Sequence, residues 1–509
     1  MNINPINPIR DTSVLILGLG ASGLAMARWC VRQGAARVTV ADTRAAPPQL
    51  AWLHNHLPHS SIVQFVHSPH FDGSLVQGNH AVFVSPGISP AQMHGVVQAA
   101  QSQGVPVAGE LGLFAQALQD LRTERGYAPQ ILAITGTNGK TTVTSLTRHL
   151  LAWTGMSVAM AGNIGPTLLD TLTEFLDKSA AAEAPESSEL PQAWVLELSS
   201  FQLALDIPAW EPTAATVLNI TQDHLDWHTD MADYAHAKSR IFGTTGFQVL
   251  NRDDAEVMAM QATNRSGTCF SAGMPQRGGE FGIEEVNGMA WLVRLQATEG
   301  TKKVQSESHI QRLMPVEAMR IRGRHNATNA LAALALCCAA GCALAPMLYG
   351  LREYRGEPHR VQSIGVMDGI EFFDDSKGTN VGATVAALQG LGVDRRLVLI
   401  LGGDGKGQDF SPLMAPVAQY VRSVVLIGRD ADRIRAALVP TRVPMWNAIS
   451  LEEAVVLAFG EAKAGDAVLL SPACASLDMF QNYAHRAQVF CDAAQALALN
   501  RGTSLEGLE

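Results

Sequence analysis

The stretch ILAITGTNGKTT, residues 131–142, indicates how the middle of the chain folds. Its first five residues are apolar or β-branched and predict a buried strand, whereas the following VTSLTRHLLAW has the spacing of a helix. A glycine turn between strand and helix offers backbone N–H groups and the positive end of the helix dipole, which bind phosphate. Lys140 can reach the outer phosphates, and a threonine hydroxyl can ligate Mg²⁺. The stretch therefore predicts a phosphate-binding loop, although Gly136 and Gly139 are separated by two residues and not by four.

The composition is that of an acidic, apolar chain long enough for several cores. Its 509 residues predict roughly three domains. Hydrophobic residues make up 47% and charged residues 17%, which excludes a disordered protein. The net charge of −10 argues against nucleic acid as the main partner. Seven cysteines without a CxxC pair and an N-terminus without a basic leader predict a cytoplasmic protein with reduced thiols.

One uncharged segment has the length of a membrane span. Residues 330–349 contain no charged side chain over twenty positions. The segment is rich in alanine and cysteine, and Gly341 and Pro346 interrupt it. We therefore predict two packed helices in a soluble interior, with a membrane span as the alternative.

Alternating strands and helices predict an α/β fold of three domains. Residues 1–110 contain strands such as SVLILG and RVTVAD, residues 111–355 contain the phosphate loop, and residues 356–509 contain RLVLILGG and DAVLLSP. We expect Rossmann-like first and third domains around a central P-loop ATPase-like domain, with ligands at the carboxyl ends of parallel strands. The weakly patterned residues 180–190 and 262–311 are expected to be surface insertions or peripheral strands.

A second glycine turn follows the first predicted strand. The run GLGASG from Gly18 opens a helix, and Asp42 ends the next strand. This pattern fits a dinucleotide site with the acidic residue on a ribose, and a tight turn without any ligand is the alternative. Hydride transfer is disfavoured, because a dehydrogenase would not need the second phosphate loop.

A carboxylate and an imidazole follow two predicted strands of the middle domain. Glu197 ends one strand, and His224 lies in the run DHLDWH after another. A buried ionised carboxylate needs a partner, and Mg²⁺ bound to nucleotide phosphates would supply one. The alternative is a polar helix start capped by Asp223 and Asp226. We expect His228 at the surface.

Several polar groups have more than one interpretation when taken alone. Lys238 would ordinarily be solvated. Asn326 and Asn329 lie one helical turn apart and could read a base, bridge phosphates or cap a helix. The run DDSKGTN from Asp374 is polar at nearly every position. The run GGDGKG imitates a phosphate loop, but a glycine follows Lys406, so a carboxylate or phosphate site or a plain turn is expected.

Together these motifs resemble the Mur ligases, the ATP-dependent amide-forming enzymes of peptidoglycan synthesis. GTNGKTT, ELSSFQL, the NxxxDHLD run from Asn219, YAHAK and GRHNATNA occur in the family's order over nearly the whole chain. SPGI, GNIG, DDSKGTN, LGGDGKG and LSPACASLDMF are similar to the branch that adds D-glutamate. The resemblance implies a ligase that joins D-glutamate to UDP-N-acetylmuramoyl-L-alanine through an acyl phosphate, with ATP and Mg²⁺. Its expected partners are these small molecules, without nucleic acid or a membrane span.

The resemblance also implies a role for each group of residues. The implied catalytic residues are Lys140, Glu197, His224 and Lys238. The implied ATP-binding residues are Gly136, Thr137, Asn138, Gly139, Lys140, Thr141, Thr142, Asn326, Asn329, Arg360, Asp375 and Lys377. The implied contacts to the UDP substrate are Gly20, Asp42, Thr43, Ser85, Asn163 and Ser199. The implied D-glutamate contacts are Thr379, Lys406, Ser476, Leu477 and Tyr483. The implied metal ligands are Thr141, Glu197, His224 and a carbamylated Lys238.

The chain departs from the family's pattern around the implied amino-acid pocket. Tyr483 stands where phenylalanine is common, Gly378 where alanine is common, and Ala487 where glycine is usual. The rival hypotheses are another member of the superfamily such as folylpolyglutamate synthase, a nucleotide-dependent switch without catalysis, and a dehydrogenase. We expect a monomer.

Overall fold

A computed structural model describes residues 9–56, 62–181, 190–225, 227–296, 309–393 and 395–506. Their strands form three sheets of five, nine and six strands, with helices packed between them, as an α/β fold of three domains predicts. The boundaries after residues 110 and 355 stay predictions. Most of the weakly patterned stretch 180–190 lies outside the described residues.

The first sheet is entirely parallel, with the order β3-β2-β1-β4-β5. Its strands are β1 (Ser13–Leu17), β2 (Arg37–Asp42), β3 (Val63–His67), β4 (Ala81–Val84) and β5 (Val107–Gly109). Its helices are α1 (Ala21–Arg32), α2 (Leu50–His56) and α3 (Pro90–Gln103). Because β1 lies between β2 and β4, the connections diverge on its two sides and leave a crevice at its carboxyl end, where ligands of such sheets bind.

The second sheet has the order β14-β13-β12-β11-β10-β9-β6-β8-β7. Its strands are β6 (Gln130–Thr135), β7 (Val158–Gly162), β8 (Ala193–Glu197), β9 (Ala214–Val217), β10 (Phe247–Asn251), β11 (Gly267–Phe270), β12 (Phe281–Val286), β13 (Met289–Gln296) and β14 (His309–Pro315). The accompanying helices are α4 (Glu110–Arg125), α5 (Lys140–Trp153), α6 (Leu168–Ala181), α7 (Ser200–Ala204), α8 (Met231–Ser239), α9 (Ala255–Met258), α10 (Arg324–Ala339) and α11 (Leu344–Glu353). Since β6 lies between β8 and β9, the phosphate loop, Glu197 and the residues after β9 meet at one edge.

Two predictions about the second domain are confirmed. Strands β11 to β14 form the outer edge of the sheet, as expected for residues 262–311, of which 297–308 lie outside the described residues. The uncharged segment 330–349 forms most of α10 and the start of α11, and α10 is buried in the core. Nowhere in the described ranges does a helix have the length and apolarity to cross a membrane.

The third sheet has the order β15-β16-β20-β17-β18-β19, with β15 antiparallel to β16 and the other pairs parallel. Its strands are β15 (Gln362–Met367), β16 (Ile370–Asp374), β17 (Leu397–Gly402), β18 (Val421–Ile427), β19 (Met445–Asn447) and β20 (Ala467–Leu470). Its helices are α12 (Val381–Leu391), α13 (Met414–Tyr420), α14 (Ala431–Leu438), α15 (Leu451–Glu461) and α16 (Tyr483–Asn500). The loops after β16, β17 and β20 therefore lie side by side.

Candidate active site

A cavity of about 840 Å³ lies between the loops of the second and third sheets. Its wall on one side is the phosphate loop with the loops after β7, β8 and β9, and on the other the segments 357–360, 377–380 and 406–408. The predicted site residues that line it are Thr137, Asn138, Gly139, Lys140, Thr141, Asn163, Glu197, His224, Arg360, Lys377, Thr379, Lys406 and Tyr483. The structure thus brings together residues from motifs that are far apart in the sequence.

The phosphate loop needs its glycines for space as well as for conformation. Gly136 and Gly139 have φ angles of +150° and +84°. A Cβ at Gly136 would lie 2.9 Å from Cβ of Leu218, and one at Gly139 would lie 2.9 Å from Oδ1 of Asn329. The loop therefore packs directly against Leu218 and Asn329, and any residue larger than glycine at position 136 or 139 would displace it.

Lys140 is the first residue of α5 and folds back across the loop. Its Nζ donates to the carbonyl oxygens of Gly136 at 2.9 Å and Thr137 at 2.8 Å. Burial lowers the pKa of Lys140, and the carboxylates of Glu197 and Asp223 oppose that shift. The lysine is thus fixed beside the loop's N–H groups, in a position to contact phosphate oxygens.

Asn219 holds the phosphate loop in place, a role that sequence reasoning missed. Its Oδ1 accepts from the backbone N–H of Asn138 at 2.8 Å, and its Nδ2 donates to the carbonyl of Asn138 at 3.1 Å. The backbone N–H of Thr137 donates to the carbonyl of Asn219 at 2.9 Å. The available signal was its place as the first residue of the run that ends in DHLD.

Glu197 ends β8 and is only 2% exposed. Its Oε1 accepts from Nδ2 of Asn163 at 2.8 Å. Its Oε2 is buried, and no hydrogen-bond partner for it is found within the described ranges. A buried carboxylate oxygen without a donor is costly, so this atom is suited to a cation.

Lys238 is buried, which contradicts the solvated lysine expected from the residues alone. It is 1% exposed, and its Nζ donates to the carbonyl of Gly136 at 2.9 Å and to Oγ1 of Thr135 at 3.3 Å. The Nζ also lies 4.6 Å from the ring centroid of Tyr234. Burial lowers the pKa of Lys238 well below its usual value, and the positive charge of the nearby Lys140 is the second cause.

His224 lines the cavity, whereas His228 does not. His224 has a φ of +55°, and its Nε2 lies 3.5 Å from Oδ2 of Asp223. The expectation that His228 lies at the surface is wrong, because it is 2% exposed and contacts Oγ of Ser200 at 3.0 Å. Asp226, the alternative helix cap, lies outside the described residues.

Among the described residues, Arg360 and Asn380 of the third domain donate hydrogen bonds to the phosphate loop and the start of α5. Arg360 donates from Nη2 to Oγ1 of Thr141 at 2.7 Å, and Asn380 donates from Nδ2 to Oδ1 of Asn138 at 3.1 Å. Asn380 also caps α12 and lines the cavity. Sequence reasoning missed Asn380, although it is the last residue of DDSKGTN.

Lys377 and Tyr483 form a pair on the third-domain wall of the cavity. The Nζ of Lys377 lies 3.8 Å from the ring centroid of Tyr483, a cation–π contact. His359, which sequence reasoning also missed, lies beside Tyr483, with its Nδ1 2.7 Å from Oδ2 of Asp374. Its position next to Arg360 was the only signal.

Some predicted residues lie behind the cavity wall. The Oδ2 of Asp375 accepts from Oγ of Ser471 at 2.6 Å, and burial raises the pKa of Asp375 to about 7. Asn326 and Asn329 bond to each other at 3.2 Å behind the phosphate loop. The predicted ATP and D-glutamate residues that the structure places off the cavity wall are Gly136, Thr142, Asn326, Asn329, Asp375, Ser476 and Leu477.

Four of the predicted UDP-substrate residues gather at the carboxyl end of the first sheet. Gly20, Asp42, Thr43 and Ser85 follow or end β1, β2 and β4. Ser199 instead caps α7, and Asn163 lines the cavity. The predicted substrate contacts therefore span two domains.

Asp42 is hydrogen-bonded to the glycine turn after β1. Its Oδ2 accepts from the backbone N–H of Leu19 at 2.7 Å, and its two oxygens receive Nε and Nη2 of Arg44 at 2.9 and 2.8 Å. The guanidinium lowers the pKa of Asp42 against the effect of burial, which is the largest single influence. Asp42 thus stabilises the turn and holds the guanidinium of Arg44 beside it.

Among the described residues, no group of three or more histidine, cysteine, aspartate or glutamate side chains could hold a metal ion. A cation bound near Glu197 would therefore need ligands of other kinds, such as a hydroxyl or phosphate oxygens. The predicted metal set includes Thr141 and Lys238 in addition to Glu197 and His224.

Comparison with known proteins covers nearly the whole chain. The model of the Mur ligase middle domain matches residues 134–337, that of the MurD-like N-terminal domain matches 12–109, and that of the Mur ligase glutamate ligase domain matches 359–474. UDP-N-acetylmuramoylalanine--D-glutamate ligase of Albidiferax ferrireducens is 59% identical over 99% of this chain and 99% of its own. The protein of the same name from Ralstonia nicotianae is 54% identical over 97% of this chain and 98% of its own.

Solved structures share the fold at low sequence identity. The MurF ligase of Thermotoga maritima in complex with ADP has a TM-score of 0.58 at 15% identity, covering 97% of this chain and 96% of that one. The UDP-N-acetylmuramate-alanine ligase of the same organism has a TM-score of 0.54 at 19% identity, covering 96% of this chain and 100% of that one. These matches confirm the three-domain α/β fold, and with the relatives and family models they establish that the chain belongs to the Mur ligase family.

Proposed function

We propose that the chain is an ATP-dependent ligase that adds D-glutamate to UDP-N-acetylmuramoyl-L-alanine. The observation that carries this proposal is its 59% identity, over 99% of both chains, to a protein named for that reaction. The cavity supports this proposal, because it combines the phosphate loop of the second domain with lysines of the third domain. A nucleotide-dependent switch would not need that combination.

The phosphate loop is the proposed site for the phosphates of ATP. The backbone N–H groups from Gly136 to Thr142, Lys140 and the α5 N-terminus supply the positive field. Arg360 and Lys377 add charge from the opposite wall, and both depress the pKa of Lys140. Cations that repel one another across a cavity favour a polyanionic ligand, which is what a nucleoside triphosphate provides.

The residues around Glu197 fit a magnesium ion. Its Oε2, which has no hydrogen-bond partner among the described residues, and the hydroxyl of Thr141 on the same cavity are oxygen ligands of the kind that Mg²⁺ prefers. His224 lines the same wall. When bound, Mg²⁺ would neutralise the charge that develops between a carboxylate and the γ-phosphate.

Lys238 is the proposed site of carbamylation. An amine adds to CO₂ only as the neutral base, and the depressed pKa of Lys238 favours that form. The new N–C bond gives –NH–COO⁻ and releases one proton. The product places a carboxylate beside Lys140 and provides an oxygen for the magnesium site.

The proposed reaction has two steps. The terminal carboxylate of the nucleotide sugar attacks the γ-phosphorus of ATP and releases ADP, after which the amine of D-glutamate attacks the acyl carbon and expels phosphate. Lys140 and Lys377 hold the transferred phosphoryl group from opposite walls. Closure of the third domain excludes water, which would otherwise hydrolyse the acyl phosphate.

D-Glutamate is assigned to the third-domain wall. Thr379, Lys406 and Tyr483 line the cavity there, and Lys406 can pair with a carboxylate of the amino acid. Ser476 and Leu477 lie in the segment after β20, and neither lines the cavity. We place the enzyme in the cytoplasm as a monomer, in keeping with cysteines that are all free.

Phosphate release from ATP tests this function directly. The assay contains UDP-N-acetylmuramoyl-L-alanine and, in separate reactions, D-glutamate, L-glutamate, L-alanine or L-lysine. We expect release that requires both the nucleotide sugar and D-glutamate. Release with a different amino acid would move the enzyme to another branch of the family, and ATP binding without any release would favour the switch.

A further inference from the structure

Glu110 is a buried carboxylate at the junction of the first and second domains. It is the first residue of α4, which begins directly after Gly109, the last residue of β5. Glu110 is 2% exposed, although glutamate is seldom fully buried without a partner. Its position therefore needs a physical explanation.

The partners of Glu110 come from both domains. Its Oε1 accepts from the backbone N–H of Leu169 at 3.0 Å, and it also accepts from the backbone N–H of Leu168. These two groups begin α6 in the second domain. The hydroxyl of Ser22, on α1 of the first domain, donates to the same carboxyl group. One side chain thus joins the starts of two helices that belong to different sheets.

Each of those helix starts follows a loop assigned to the nucleotide-sugar substrate. Ser22 lies on α1, two residues after Gly20, and Gly20 belongs to the turn that follows β1. Leu168 lies five residues after Asn163, whose side chain lines the cavity and bonds to Glu197. The carboxylate of Glu110 therefore connects a helix start near the proposed uridine contacts to a helix start near the proposed muramoyl contact Asn163.

The surrounding packing makes the junction stiff. A Cβ at Gly112 would lie 3.1 Å from the carbonyl oxygen of Asp206, so the first turn of α4 is pressed against the second domain. Two ion pairs cross from α1 to α6 on the surface of the same junction, Arg28 with Asp170 at 3.1 Å and Arg32 with Asp177 at 2.5 Å. Exposed pairs of this kind stabilise little by themselves, so they do not fix the spacing of α1 and α6.

We propose that Glu110 is a positioning residue that holds the glycine turn after β1 and the Asn163 loop at a fixed separation, so that both ends of the nucleotide sugar bind together. This inference rests on the proposed function, because it takes the nucleotide sugar as the substrate. A substrate that contacts two domains gains affinity only if the domains already have the right spacing, because otherwise binding must supply the ordering cost.

The test compares two ligands on the full chain by titration calorimetry. UDP alone contacts the first domain, whereas UDP-N-acetylmuramoyl-L-alanine contacts both, so the ratio of their dissociation constants reports the spacing. Glu110→Ala leaves three donors without an acceptor and should weaken the nucleotide sugar by about tenfold while changing UDP by less than about twofold. Glu110→Gln keeps an acceptor oxygen and should recover most of the loss.

Asp177→Asn is the matched control, since it removes an exposed carboxylate from the same junction and should leave the ratio unchanged. If Glu110→Ala does not fold, Glu110→Asp, which withdraws the carboxylate by one methylene, should show a smaller loss in the same ratio. Parallel weakening of both ligands, or an unchanged ratio, would overturn the inference alone. A wild-type protein that binds UDP but not the nucleotide sugar would overturn the proposed function, and the inference with it.

Discussion

The junction between the first and second domains and the junction between the second and third differ in construction. At the first, β5 passes into α4 without a loop, and Glu110 is buried between α1 and α6. At the second, residues 354–361 carry left-handed backbone at Gly356 and His359, and hydrogen bonds such as that of Arg360 reach across the edge of a cavity. A packed junction resists relative motion, whereas a looped junction beside a cavity permits it.

The comparison indicates how the enzyme divides its work. In the proposed function, the first junction would present the nucleotide sugar on a fixed surface, and the second would close when ATP and the amino acid bind. The cations on the two walls of the cavity, such as Lys140 and Lys377, repel until anionic substrates neutralise them. We therefore expect the binding of anionic substrates to favour closure at the second junction and not at the first.

The largest expected effect separates the two junctions. Lys140→Ala should lower kcat by at least about 1,000-fold, because it removes the cation beside the transferred phosphoryl group. The dissociation constant for the nucleotide sugar should stay within about twofold, since that ligand is held mainly across the first junction. Steady-state kinetics and calorimetry measure the two quantities. Lys178→Ala, on an exposed lysine, is the control, and a parallel loss of nucleotide-sugar binding would contradict the division.

Lys238, which lies beside the phosphate loop, tests the proposed carbamate. Lys238→Ala should be inactive, because the proposed carbamate ligand is lost, and acetate or another small carboxylate should restore part of the activity. Activity is measured as phosphate release over a range of acetate concentrations. Lys140→Ala serves as the control that acetate cannot rescue. Normal activity in Lys238→Ala without any effect of acetate would refute carbamylation.

Closure at the second junction is measurable by solution scattering. An ATP analogue together with the nucleotide sugar and D-glutamate should reduce the radius of gyration, because the third domain approaches the phosphate loop. The nucleotide sugar alone should leave the radius unchanged, since the first junction is already packed. Compaction by the nucleotide sugar alone would reverse the roles of the two junctions, and no compaction with all three ligands would remove closure from the mechanism.

The strands buried in the middle of each sheet could be predicted, and those at the edges could not. Strands such as β1 and β17 are buried at nearly every residue, so they appear in the sequence as unbroken apolar runs before glycines. Strand β3 was not predicted, because the exposed Gln64 and His67 break its apolar run. Strand β7 was not predicted either, although VAMAG is apolar, because so short an apolar run cannot be told from part of a buried helix by periodicity alone. The three-residue β19 is too short to give a pattern.

The site could be predicted as a set of motifs but not as a set of contacts. GTNGKTT and DDSKGTN identified opposite walls of one cavity, which spacing alone could never have placed together. Asp375 was assigned to ATP but accepts from Ser471 inside its own domain, since a run of polar residues gives no sign of which side chains are buried. Asn219 was missed because a single polar residue after a strand usually belongs to an ordinary loop.

The smallest expected effect concerns the stability of the first junction. Burial raises the pKa of Glu110 from 4.5 to about 7, and Asp170 on α6 adds to the shift, while the donors Leu169 and Ser22 oppose it. Between those two pH values the unfolded carboxyl group is ionised while the folded one keeps its proton, so the free energy of unfolding falls as pH rises. The penalty is complete above pH 7 and amounts to about 3 kcal/mol.

Glu110→Gln cannot ionise, so the loss of stability between pH 5 and pH 8 should be smaller by roughly that amount than in the wild type. Urea unfolding at both pH values measures the difference. The unfolding is monitored by a signal from the first and second domains, such as that of Trp194, which is buried between Phe114 of α4 and Phe175 of α6. Asp177→Asn should behave as the wild type does, because its carboxylate is exposed. An equal pH dependence in Glu110→Gln and the wild type would mean that Glu110 titrates as a solvated carboxyl group, and the first junction would then be as open to water as the second.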